Sequence, residues 1–464
     1  MSNEIDEYLI KYGLEDTWNS LIFNLTNNNK INYNIDINKN LLKDKDFYYI
    51  SDLYEYSLAF INKINKKKNG QYYTPLDISE FMAKQVKNFD KGVWCDPCCG
   101  IGNLSFEILK NNKNMIYTMH FCDLDNLALN ICHSLFSYFF QVDYDKIANN
   151  FHCCDFLKSN IKYNYIIMNP PYVGKSKGED LYISFLKKAS ECDGFIAITP
   201  QSFTNSTDKN ILSLKEKINS FCFYKIYNFD NIPDCIFNFK KKGIFNTNSS
   251  NSVRASIIIC RNNETFHGIT PLMRWKKEDR AYMLSNIDNY IENSNYIFND
   301  NKFLKLFKNT SNFLNLGNKK LKDIISKSKT KYILYIPSTP RYYITASKRK
   351  LNRSSYHEIY FKNEDDMNKV YIIINSSYMY WWWRISDGGM TLSKSVLLNL
   401  KLPDINIDKN LLTRLESEES TCLVYKLNAG KINENIKHSS ELINDIDIFL
   451  GVEKLSFTKN NNYI

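Results

Sequence analysis

From about residue 70 to residue 260 the chain repeats one pattern, a short apolar run followed by a stretch with helical spacing. The runs are GVWC, YTMHFCD, YNYIIMN, GFIAITP, FYKIYNF and ASIIIC. Near-continuous apolar runs of this length suit strands buried on both faces. Strands that alternate with helices pair in parallel, so the expectation is an α/β sandwich with a mainly parallel sheet. Such sheets gather ligands at the carboxyl ends of their strands, and that is where the unusual residues fall.

At 464 residues the chain is too long for one core, and its flanks read differently from its middle. Residues 1–65 mix helical pieces with Asn/Lys-rich loops and end on the polar link INKINKKKNG. After CRNNET the strand–helix alternation fades into charged helical pieces, Tyr-rich strands and YMYWWWRISDGG. The expected organisation is a helical segment 1–65, an α/β domain 66–265 and an α+β domain 266–464. The three consecutive tryptophans, Trp381–Trp383, read as core of the last domain.

Charge separates the same regions. The net charge is +10. Residues 1–260 carry 29 Lys+Arg against 28 Asp+Glu, whereas residues 261–464 carry 31 against 22. Within the second part, residues 301–360 hold 14 basic and 2 acidic side chains, interleaved with Tyr332, Tyr335, Tyr342, Tyr343 and Tyr356. A long basic run confined to one region and laced with aromatics suits a polyanion, and nucleic acid first among them. Arg341, Lys348, Arg349, Lys350 and Arg353 are the candidates for phosphate or guanine contacts.

The N-terminal MSNEIDEYLIKYG is acidic and lacks the basic-then-apolar order of a signal peptide. No apolar run approaches the roughly 18 residues that span a bilayer. The expectation is a soluble cytoplasmic protein without membrane contact, its 12 cysteines reduced. CDPCC contains a CxxC, but no second pair at zinc-finger spacing accompanies it, so no metal is expected.

The strand ends carry the chemistry. In VWCDPCCGIGNLSFEIL a strand ends on Asp96-Pro97 and turns through Gly100 and Gly102 into a helix that Asn103 is placed to cap. Alone, such a loop is as often a plain turn. Some twenty residues on, FCDLD ends the next run on Asp123, where a carboxylate can accept both hydroxyls of a ribose diol. CCDFL ends a third strand near Asp155, able to accept from an exocyclic amine of adenine. Either carboxylate alone would pass for a loop acid or a helix cap; their succession at neighbouring strand ends argues for a nucleotide-like cofactor.

The fourth run, YIIMNPPY, ends on Asn169-Pro170-Pro171-Tyr172. A planar sp² amine is a poor nucleophile because its lone pair is delocalised. Two acceptors holding its N–H groups can pull the nitrogen toward sp³ and aim the lone pair at an electrophile. The Asn169 side-chain oxygen and the Pro170 carbonyl supply such a pair, the prolines hold their geometry, and Tyr172 offers a face for a flat base.

Taken together, GQYYTP, DPCCGIG, the acidic strand end, Asp-Phe and NPPY resemble the gamma class of N6-adenine DNA methyltransferases, of the type II restriction-modification kind. The resemblance covers about residues 65–400. It implies a Rossmann-like S-adenosylmethionine-dependent catalytic domain followed by a target-recognition domain, acting on double-stranded DNA with a flipped-out adenine. Carried over, Tyr73, Thr74, Pro75, Asp96, Pro97, Gly100, Gly102, Asn103, Asp123, Leu124, Asp155 and Phe156 are the cofactor-binding positions. Asn169, Pro170, Pro171 and Tyr172 hold the target adenine. A second stacking aromatic is expected before the last strand, with Phe245 preferred over Phe237 and Phe239. A working monomer is plausible on this pattern, with a cognate endonuclease on a separate chain. The alternatives are a methyltransferase acting on a glutamine amide of a protein, since that amide is also a planar amine, and a non-catalytic DNA-specificity subunit.

Overall fold

The computed structural model describes residues 2–31, 33, 35–65, 74–172, 175–176, 179–201, 203, 209–230, 236–237, 254–273, 275–293, 316–340, 343–386, 391–428 and 431–452. The chain divides into two units. The first comprises Met1–Phe203, Asp208–Thr270 and Leu284–Asn295; the second comprises Thr204–Thr207, Pro271–Met283 and Tyr296–Ile464.

The first unit carries the seven predicted strands together with four that the sequence runs did not mark, eleven among the described residues. They are β1 (Trp94–Asp96), β2 (His120–Asp123), β3 (Phe151–Cys153) and β4 (Tyr165–Met168), then a small hairpin β5 (Lys175–Ser176) and β6 (Glu179–Asp180). There follow β7 (Gly194–Pro200), β8 (Phe223–Phe229), β9 (Ala255–Arg261), β10 (Phe266–Met273) and β11 (Glu292–Asn293). Nine of them form one sheet in the order β11-β10-β8-β9-β7-β4-β1-β2-β3. From β3 to β7 every pairing is parallel, and β4 is buried along its whole length, as a strand covered on both faces must be. The fold is thus a Rossmann-like α/β sandwich. The ASIIIC run does not extend the parallel set: as β9 it lies between β7 and β8, antiparallel to both. The chain leaves β1 outward through β2 and β3, then returns to place β4 on the other side of β1. That reversal makes the carboxyl ends of β1 and β4 the switch point where a crevice opens.

Residues 1–65 form part of this unit. Helix α1 (Ser2–Thr26), kinked at Gly13, and α2 (Phe47–Asn65) precede α3 (Leu76–Gln85). Helices α4 (Asn103–Asn111), α5 (Asn126–Phe140), α6 (Leu181–Ala189) and α7 (Lys209–Asn219) link the strands. Phe47 of α2 stacks on Phe106 of α4 at 3.8 Å with 4° between the rings, and Trp18 of α1 meets Tyr54 of α2 edge-on at 5.0 Å. The expected boundary at 265 falls inside the sheet, because β10 and β11 continue it beyond β8.

The second unit has its own core around α8 (Glu364–Ile374) and α9 (Ser377–Ser386), with the antiparallel pair β13 (Ile333–Pro337) and β14 (Tyr356–Tyr360). A two-stranded sheet of β12 (Leu316–Lys320) and β15 (Lys401–Pro403), helices α10 (Lys394–Leu398), α11 (Lys409–Thr421) and α12 (Ser440–Phe449), and the hairpin β16 (Leu423–Asn428) and β17 (Lys431–Ile436) complete it. Trp383 is buried in the core, and Trp382 packs against it while its Nε1 donates to the Val396 carbonyl at 3.1 Å. The side chain of Trp381 lies outside those described.

Because the Phe47 ring covers Phe106 face to face, Phe47→Ala is expected to cost roughly 3–5 kcal/mol. Urea unfolding followed beside Ile10→Ala checks this, since Ile10 is 69% exposed and its truncation should change stability by less than about 0.5 kcal/mol.

Candidate active site

The crevice at the switch point opens into a cleft of about 1480 Å³. That exceeds the roughly 300–1,000 Å³ of ordinary small-molecule pockets. Asp96 ends β1 at its floor, 1% exposed. Its Oδ2 accepts from Ser105 Oγ at 2.7 Å, and Oδ1 completes no hydrogen bond among the described residues. Burial pushes its pKa up to about 7, against the opposing pull of the Ser105 hydroxyl and the Cys98 N–H. Past Pro97 the loop turns with positive φ at Gly100 (54°) and Gly102 (95°). A Cβ on Gly102 would lie 2.4 Å from Phe136 Cζ and 2.7 Å from Cys132 Sγ, so only glycine lets the loop lie this close to α5.

Asn103 does not cap the helix that follows. Gly102 occupies the N-cap position, and Asn103, already in the first turn, accepts from Ser51 Oγ at 2.8 Å. The tight glycine turn starts the helix one residue early and leaves the Asn103 side chain to a different partner.

Asp123 ends β2 and ties the glycine loop down. Its Oδ2 accepts from the Gly100 N–H at 2.7 Å and its Oδ1 from the Asp125 N–H at 2.9 Å, and each oxygen keeps a second lone pair. Burial raises its pKa while those N–H groups pull it down. Leu124, 73% exposed, follows at the cleft rim. Asp155 lies two residues beyond the end of β3, accepts from the Leu157 N–H at 3.0 Å and pairs with Lys158 at 3.3 Å. Phe156 lines the same wall, its ring stacked on Phe185 at 5.7 Å and crossed by Lys188 at 4.6 Å.

Asn169 follows β4. Its Nδ2 donates to Thr74 Oγ1 at 3.0 Å, which places the acceptor Oδ1 at the other end of the amide, and its backbone carbonyl receives Cys98 Sγ at 3.4 Å. The structure therefore brings Thr74, Asp96, Pro97, Gly100, Asn103, Asp123, Leu124, Asp155, Phe156, Asn169, Pro170 and Pro171 around one cleft. Pro75 caps α3 beside Thr74. Tyr172 meets Phe237 edge-on, 5.8 Å between centroids at 85°. Tyr73, Phe239 and Phe245 lie outside the described residues. Sequence reading missed Ser105, Cys98 and Ser51. Ser105 could have been found from its place in the first turn after the loop, but Ser51 carries no local signal.

In the second unit the predicted basic contacts divide. Lys348 Nζ pairs with Glu416 at 2.5 Å, and the backbone N–H groups of Lys348 and Arg349 both donate to Glu419 at 3.0 Å. Arg353 is half-buried and donates from Nη1 to the Glu434 carbonyl at 3.3 Å and to Asn435 Oδ1, with burial lowering its pKa. Lys350 is exposed, its Nζ 5.2 Å from the Tyr356 ring centroid. Arg341 lies outside the described residues.

The family model for N-6 DNA Methylase matches residues 44–190. Over 136 residues the chain is 32% identical to the type II methyltransferase M.VspI of Vibrio sp. (strain 343), a match covering 28% of this chain. It spans 31% of that relative's length. Among solved structures the chain is similar to a modification subunit of a putative type I restriction enzyme from Vibrio vulnificus YJ016. The identity is 14% over 57% of this chain and 60% of that one, with a TM-score of 0.38. It is also similar to a putative class I S-adenosylmethionine-dependent methyltransferase from Listeria monocytogenes. There the identity is 13% over 62% and 95%, with a TM-score of 0.37. The family match bears out the resemblance to N6 DNA methylases over the segment it covers, and the cofactor it implies is S-adenosylmethionine. The cleft fits that group on its own chemistry: the open Oδ1 of buried Asp96 suits an ammonium, and the paired carboxylate of Asp123 retains acceptors for hydroxyls.

Asp96 holds its proton more tightly folded than unfolded, so its contribution to stability is full below about pH 4 and lost as pH rises to about 7. Between pH 4 and pH 8 the ligand-free protein should lose up to about 4 kcal/mol more than Asp96→Asn does, in paired urea titrations.

Proposed function

We propose that this chain is a site-specific DNA methyltransferase that methylates N6 of adenine in double-stranded DNA. The observation that carries the reading is the Asn169-Pro-Pro-Tyr172 turn at the end of β4, its amide oriented by Thr74, beside the Asp96 loop at the end of β1. S-adenosylmethionine, when bound, supplies an electrophilic methyl group on a sulfonium.

The remaining steps belong to the chain. Asp96 and Asp123 hold the cofactor's polar ends, and Asp155 and Phe156 receive its adenine ring. The target adenine leaves the duplex at a cost of roughly a few kcal/mol, because N6 is buried in the stack. Asn169 Oδ1 and the Pro170 carbonyl accept its two N–H groups, and Tyr172 covers its face. Two fixed acceptors favour a tetrahedral nitrogen over the planar ground state, so the clamp stabilises the transition state more than the substrate. The second unit serves as the target-recognition domain, Lys350 contributing phosphate contact from its exposed position. The protein works within a restriction-modification system, a cognate endonuclease being its natural partner on another chain. The basic character of residues 301–360 favours DNA over a protein glutamine as substrate.

Single-molecule sequencing of genomic DNA from cells expressing the wild type should read N6-methyladenine in one short motif, absent with Asn169→Ala. No modified base with the wild type would sink the proposal. In DNA binding assays Lys350→Ala should weaken affinity for every sequence and reduce the salt slope by about 1. Arg353→Ala should instead act first on thermal stability, because its guanidinium is spent on the Glu434 and Asn435 contacts.

A further inference from the structure

We infer that helix α2, in the segment the sequence sets apart, belongs to the cofactor-binding apparatus, with Ser51 acting as a positioning residue that turns the Asn103 amide donor into the cleft. The inference rests on the reading of this cleft as the S-adenosylmethionine site.

Phe47, Ser51 and Tyr54 stand at i, i+4 and i+7, on one face of α2. Phe47 anchors that face on Phe106 of α4. Ser51 is 2% exposed. A buried serine on a helix commonly returns its hydroxyl to the carbonyl four residues back, as Ser57 of the same helix does to Leu53 at 2.8 Å. Ser51 instead reaches across to Asn103 Oδ1. An amide whose oxygen is taken presents its NH₂ at the other end, and Asn103 lines the cleft with Asp96 and Gly100. Tyr54, on the same face of α2, packs its ring edge-on against Trp18. Its hydroxyl is buried, makes no hydrogen bond among the described residues, and lies within the field of the Asp123 and Asp125 carboxylates.

Asn103 follows directly on the glycine loop and lines the cleft, so its Nδ2 is the donor proposed for the amino-acid end of the ligand, where a carboxylate is the fitting acceptor. Were the amide reversed, its oxygen would oppose that carboxylate. By donating to Oδ1, the Ser51 hydroxyl supports the orientation that leaves Nδ2 for the ligand, without touching the ligand.

Calorimetry on the full chain with S-adenosylhomocysteine and with 5′-methylthioadenosine, which lacks the amino-acid end, tests this. Ser51→Ala should weaken S-adenosylhomocysteine about tenfold, the scale of one hydrogen bond to a charged group, and 5′-methylthioadenosine less than twofold. Ser51→Thr should restore binding. Turnover should show a raised KM for the methyl donor at unchanged kcat. Equal weakening of both ligands, or none, would overturn the role. Should Ser51→Ala not fold, Asn103→Asp carries the same comparison: it keeps the acceptor for Ser51 but replaces the donor end with a carboxylate. Undiminished S-adenosylhomocysteine binding by that variant would equally overturn the role. A wild type that binds neither nucleoside would overturn the cofactor reading itself, and the role of Ser51 with it.

Discussion

The parallel pairing of β1 with β4 is the constraint on which the site depends. Trp94 sits opposite Tyr165 and Cys95 opposite Ile166, so the two strands end side by side. Because the chain runs outward through β2 and β3 before it returns to β4, the loops that leave these two ends diverge and cannot fill the space between them. Cys98 and Asn169, 71 positions apart, then come within 3.4 Å. Asp96, Asp123, Asp155 and Asn169 are positioned from this pair of strand ends or from the neighbouring ends of β2 and β3, whereas Thr74 arrives from the start of α3 and Glu179, Lys187 and Lys188 from β6 and α6.

Polar groups held this deep are costly unless satisfied, and the cleft satisfies them unevenly. Asp123 receives two backbone N–H groups and Asn169 a hydroxyl partner, whereas Asp96 is met by the Ser105 hydroxyl and the pull of the Cys98 N–H, and its Oδ1 completes no hydrogen bond among the described residues. Burial keeps the Asp96 carboxyl protonated to about pH 7, and an arriving cation would reverse that balance. Preorganisation of this kind favours a ligand that brings its own charge over water, which brings none.

The second unit shows how a charge run can mislead. Residues 301–360 carry 14 basic and 2 acidic side chains, yet part of that excess is answered from outside the window. Glu416 pairs with Lys348, Glu419 gathers two backbone N–H groups and the Tyr371 hydroxyl at 2.7 Å, and Glu434 with Asn435 holds Arg353. These partners lie on α11 and the β16–β17 hairpin, 68 to 82 residues downstream. A local count registers the cations and not the distant anions that meet them, so Lys350 stands apart from Lys348 and Arg353 only once the unit is folded.

The sequence by itself determined β1 to β4 and β7 to β9, the glycine turn, the acidic strand ends and the Asn-Pro-Pro-Tyr turn, because each rests on local chemistry. Apolar runs make buried strands, glycine admits positive φ, and proline restricts its own backbone. Tertiary structure alone decided the rest. It placed β9 antiparallel between β7 and β8, continued the sheet past residue 265, and built residues 1–65 onto α4 and α5. It also gave Asn103 to Ser51 rather than to its own helix, across 52 residues of chain. Hydrogen bonds and ring stacking act over a few ångströms in space whatever the separation along the chain, and no local pattern records which distant residue will arrive.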